Sequence, residues 1–193
     1  MSAKCDSSGS RGFSLVEVLV AMGLLTAVSL GVAQLFALSA RNNLTAKGQT
    51  STTAMAEQKM EQLRALTWGF DLAGQGLPLT DTTTNLAVTP PQHNGTGLNP
   101  SPADALERNT AGFVDFLGAS GQWVGTGSTP PGAAVYIRRW SITPLPTNPN
   151  NSIVIQVLVT PVASEAARVE SQYTRTRMSG DALLITVKTR KAS

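Results

Sequence analysis

Chemistry-bearing residues are scarce in this chain. Cys5 is the only cysteine, so no disulfide can form within the chain, and a Cys/His metal set is excluded. His93 is the only histidine, and its Pro/Asn/Gly surroundings read as a solvated loop. There is no phosphate-binding glycine loop and no Gly-x-Ser-x-Gly. Asp71, Asp81 and Asp115 are scattered without the spacing of a calcium loop. We therefore expect no catalytic residue, metal or cofactor. Basic residues exceed acidic ones by 15 to 12, too small a surplus to argue for nucleic acid by itself. Proline is absent before Pro78. Charge is nearly absent from Phe13 to Ala40, where Glu17 is the only charged residue in 28.

That apolar run is the most informative feature present. As a helix it would reach about 42 Å at 1.5 Å per residue, beyond the roughly 30 Å hydrocarbon core of a bilayer. A carboxylate inside such a span is costly and is by default functional. Before the run, Met1 to Gly12 is short, polar and slightly basic, with Lys4, Asp6 and Arg11. The run is too long for an ordinary secretory signal, and Leu38-Ser39-Ala40 fits a small-x-small cleavage rule poorly. A cut after Gly12 would keep the helix and free an amine on Phe13. That amine would lie four residues from Glu17, on the same helical face.

Gly12-Phe13-Ser14-Leu15-Val16-Glu17, followed by the long apolar run, resembles the class III leader of type IV pilins and type II secretion pseudopilins. The resemblance implies that a prepilin peptidase cuts between Gly12 and Phe13 and methylates the new N-terminal Phe13. It implies that Glu17, at mature position five, serves subunit assembly. It also implies a long N-terminal helix with a sheet-bearing head. One departure is plain: many pilins carry a helix-bending proline in the apolar half, and this chain has none there.

The rest of the chain reads as four further stretches after the leader at 1–12. Residues 13–40 form a transmembrane or filament-core helix. Residues 41–67 continue it as an amphipathic half. Its stripe is Ala56, Met60, Leu63 and Leu66, with Glu57, Glu61, Lys59 and Arg64 expected on the wet side. Gly48 and the cluster from Thr50 to Thr53 are weak helix formers. Residues 68–134 hold 11 glycines and 7 prolines and read as an irregular loop region. Short strands are expected there near Phe113–Phe116 and Gln122–Val124. Residues 135–193 read as an antiparallel sheet with strands at Val135–Thr143, Ile153–Thr160 and Leu183–Arg190, and a short helix near Glu165–Glu170. The fold class is α+β and pilin-like: a long helix whose C-terminal half packs on a small antiparallel sheet.

Gly23, Ala27 and Gly31 recur every four residues on one helical face, a spacing that lets helices approach closely in an apolar medium. The expected function is a structural subunit, a minor pilin or pseudopilin, of a type IV pilus or type II secretion pseudopilus. Its expected partners are other pilins, the prepilin peptidase, the inner membrane and an assembly platform. Its expected place is the inner membrane as a single-pass protein, then a periplasmic or extracellular filament. Two alternatives stand beside this reading. One is a signal-anchored surface binding protein. The other is a DNA-uptake minor pilin binding DNA through Arg138, Arg139, Arg175, Arg177, Lys188, Arg190 and Lys191. A solvated sheet edge that resists unwanted pairing is the simpler account of those basic residues.

Overall fold

A computed structural model describes residues 12–70, 78–170 and 177–190. Asp71, Arg175 and Lys191 lie outside the described residues. The architecture is α+β, in the order α1 (Leu15–Ala65), β1 (Trp68–Phe70), β2 (Pro78–Thr80), β3 (Val114–Leu117), β4 (Trp123–Gly125), β5 (Tyr136–Pro144), β6 (Ser152–Pro161), α2 (Val162–Glu170) and β7 (Ala182–Thr189). Internal contacts divide the chain into two units, with the division between Leu44 and Thr45.

In the second unit, five strands form an antiparallel sheet in the order β4-β3-β5-β6-β7. Strand alternation sends Trp140 and Ile142 of β5 and Ile153, Ile155, Val157 and Val159 of β6 to one face. There they meet Met55, Ala56, Met60 and Leu63 of α1 in the main core. The opposite face buries a smaller cluster of Val114, Phe116 and Ile137, onto which Val162 at the start of α2 packs. The sheet begins at Val114, inside the Gly/Pro-rich stretch, and β3 is buried along its whole length. A separate two-stranded ladder, β1 with β2, follows the helix directly.

Between β2 and β3 the chain is held by local bonds rather than by a ladder. The Thr83 N–H and hydroxyl both donate to Asp81 Oδ1, at 2.8 and 2.6 Å. These bonds stabilise the Asp81 carboxylate and lower its pKa. The Gly95 N–H donates to Thr82 O at 2.9 Å, and a Cβ on Gly95 would sit 1.9 Å from Thr84 O. Only glycine permits that backbone approach.

Lys59 overturns its sequence expectation. It is 1% exposed, not on the wet side, whereas Glu57, Glu61 and Arg64 are exposed as expected. Its Nζ lies 2.8 Å from Asp115 Oδ2, donates to Leu86 O at 2.6 Å, and stands 4.5 Å above the Trp140 ring. Arg138 grips both oxygens of the same carboxylate, Nε to Oδ1 and Nη2 to Oδ2, each at 2.8 Å. Its Nη1 donates to Met55 O and Gln58 Oε1. One buried carboxylate thus carries two buried cations and ties α1, β3, β5 and the loop at Leu86 together. Burial lowers the Lys59 pKa to about 8, with Arg138 adding to the effect and Asp115 opposing it.

Arg138, Arg139 and Arg190 depart from the solvated-edge reading, whereas Arg177 is exposed and Lys188 lies on the edge strand β7. Arg138 and Arg139 sit in β5, inside the sheet, and Arg190 is also buried. Arg139 bonds Asn109 Oδ1 at 2.9 Å and Glu165 Oε1 at 2.7 Å, which fastens α2 over the second face. The Arg190 guanidinium lies 4.4 Å from the Phe70 ring and 5.5 Å from the Trp68 ring. Lys188, on the edge strand β7, donates to Arg64 O and Leu66 O and so satisfies carbonyls at the end of α1. Partial burial, then the charge of Arg64, lowers its pKa.

Candidate cleavage and assembly site

The first unit carries the residues that the sequence singles out. Gly12, Phe13 and Ser14 are not helical, and α1 begins at Leu15. The Val18 N–H donates to Ser14 O at 3.2 Å, the first bond of the helix. Ser14 is therefore the N-cap, and Glu17 is the third helical residue. A carboxylate there lies against the positive end of the helix dipole. Ser14-x-x-Glu17 is also the spacing of a capping box, a signal that the reading of the sequence passed over.

Along this unit the large apolar side chains are exposed among the described residues. Phe13 is 83% exposed, and Leu15, Val16, Leu19, Leu24, Val28, Leu35 and Phe36 are exposed too. Phe13, Glu17, Val18, Ala21, Met22 and Leu25 border one shallow, apolar hollow on the helix surface. Nothing lies within 4 Å of where a Cβ would stand on Gly23 or Gly31. With Ala27 they form one row, at helical spacing, that a neighbouring helix could approach closely. The Thr26 hydroxyl is satisfied by Met22 O at 2.6 Å and Gly23 O at 3.0 Å, which suits an apolar surrounding. The helix is long and apolar enough to cross a membrane.

Several residues weighed for chemistry are not brought together. His93 is exposed in its loop, Asp81 closes a turn, and Asp115 is engaged by Lys59 and Arg138. Among the described residues there is no group of three or more His, Cys, Asp or Glu that could hold a metal ion. No curated protein and no solved structure matches the chain. The model of the prokaryotic N-terminal methylation motif matches residues 7–33, so the chain carries the class III leader of type IV pilins and pseudopilins, joined to a long apolar helix.

Proposed function

We propose that this protein is a minor pilin or pseudopilin, made as a membrane-anchored precursor and assembled by helix bundling. The observation that carries the reading is the methylation motif over residues 7–33, leading into a helix half whose large apolar side chains are exposed among the described residues. Prepilin peptidase hydrolyses the Gly12–Phe13 bond and methylates the Phe13 amine. Residues 13–40 hold the precursor in the inner membrane and then leave it for a filament core that excludes water in the same way. Glu17 enters that core with a charge, and the Phe13 ammonium of a neighbouring subunit offsets it; methylation keeps that ammonium charged. Gly23, Ala27 and Gly31 set how closely the helices approach. The motif belongs to structural proteins, and on this reading residues 45–193 are a head that presents surface and catalyses nothing.

The DNA-binding alternative loses three of its seven basic residues, because Arg138, Arg139 and Arg190 are buried in the head. The signal-anchor alternative and the pilin reading separate at the mature N-terminus. Sequencing the protein from cells should give N-methylated Phe13 as the first residue. A chain that starts at Met1 or Ser2 would overturn the proposal.

A further inference from the structure

We propose that the outer edge of β7 is a self-association surface: a second copy of this chain lays its own β7 antiparallel along it, Ile185 against Ile185, and one sheet runs across the pair. The inference goes beyond the processing and assembly reading above and does not rest on it. β7 is the last strand of the sheet, and among the described residues β6 alone pairs with it. The Arg190 N–H donates to Asn151 O at 3.0 Å, so the Asn151–Arg190 pair faces inward. The alternation of an antiparallel ladder then turns the N–H and C=O of Leu183, Ile185 and Val187 away from β6. Among the described residues, no hydrogen bond engages those groups of Ile185 or Val187. Arg177 Nη2 stands 3.5 Å from Leu183 O, a long contact that an incoming N–H would replace.

The side chains fit the same occupant. Leu184 packs on the main core, so Leu183, Ile185 and Val187 stand on the opposite face. Ile185 is 60% exposed and Val187 55%. They continue a half-buried apolar row on β6, where Val154 and Leu158 lie opposite Val187 and Leu183. A long apolar edge is ordinarily guarded by a charge or a proline. β7 has no proline, and its one charged residue, Lys188, sends its ammonium to Arg64 O and Leu66 O. Unmet backbone groups call for a strand rather than a helix, and a neutral strip calls for an uncharged strand. β7 itself meets both conditions. A two-fold pairing centred on Ile185 sets Leu183 against Val187, Leu184 against Thr186 and Ala182 against Lys188. Apolar side chains then cover one another, and no charge meets a like charge. A centre at Thr186 would instead set Leu183 against Thr189 and lose an apolar pair.

The test is disulfide trapping of the full chain in detergent micelles, on a Cys5→Ser background so that the introduced thiols are the only ones. Directly opposite positions of a ladder lie within reach of a disulfide. Under mild oxidation Ile185→Cys should give a dimer of twice the chain mass. The double variant Leu183→Cys, Val187→Cys should do the same through reciprocal bridges. Leu79→Cys, at a position 50% exposed on β2, should stay monomeric. Adding Val187→Lys to Ile185→Cys should remove the dimer. The urea midpoint of that reduced protein should stay where it was, because Val187 faces solvent. Absence of dimer in both cysteine variants overturns the inference. So does a dimer yield that Leu79→Cys matches or that Val187→Lys leaves intact. In cell membranes, a cross-link from Ile185→Cys to a different protein in place of the homodimer assigns the edge to another occupant and also overturns it. None of these outcomes bears on leader removal, which is read at the mature N-terminus.

Discussion

At the scale of single residues, the head turns on an uneven buried charge set. Asp115 holds both Lys59 and Arg138, so its loss strands two cations and the loss of either cation strands none. Asp115→Asn should therefore destabilise residues 45–193 by about 3–5 kcal/mol, the usual cost of leaving buried charge uncompensated. Lys59→Met should cost far less, about 1 kcal/mol or below, because Asp115 keeps its two bonds to Arg138. Urea denaturation of both variants checks the order; equal losses would contradict it. The pH response has a defined sign. Lys59 titrates at about 8 when folded and near 10.5 when unfolded. Below pH 8 both states hold the proton, and this residue gives no slope. Between about pH 8 and 10.5 the unfolded state binds more protons, so its contribution to stability rises with pH, by on the order of 3 kcal/mol. The difference between wild type and Lys59→Met, measured across that range, isolates it. Lys188 shifts in the same direction and is common to both proteins.

At the scale of elements, the head core is a helix stripe against the inner rows of β5 and β6. Ile155 is fully buried there, and Ile155→Ala should cost about 2–5 kcal/mol. A loss below about 1 kcal/mol, read as a change in the urea midpoint at constant slope, would mean that the packing is not as described. The long elements were legible in the sequence because each has one period. The apolar run of α1, the alternation in β5 and β7 and the apolar run of β6 all announced themselves to within a few residues. The buried charge cluster was not legible. Lys59 lies four residues after Met55 and four before Leu63, so spacing alone puts it inside the stripe. Its charge argued for water, and only Asp115, 56 residues away, makes the burial tolerable. For the same reason β3 reads as a minor strand in sequence: its Asp115 looks like a surface residue until Arg138 stands opposite it in register. Strands β1 and β2 are three residues each, too short for any period to show. At the N-terminus the sequence displayed Gly12, Phe13 and Glu17, but the helix boundary at Ser14 needed the backbone bond from Val18.

At the scale of the whole molecule, the two units have different requirements. Residues 45–193 bury their own core, whereas the large apolar side chains of residues 13–44 are exposed among the described residues. On the proposed reading, insertion into a membrane needs only apolar length, and leader removal is decided around Gly12. Gly12→Leu should leave the leader attached, seen as an uncut band in whole cells. Assembly is the step that should need Glu17, since a carboxylate entering an apolar bundle is costly without a cationic partner. The most direct measurement is the amount of processed protein in sheared filaments relative to the membrane fraction, for wild type, Glu17→Gln and Glu17→Val. The account predicts that all three insert and lose the leader, and that only wild type enters filaments in quantity. Wild-type incorporation of both variants would contradict it.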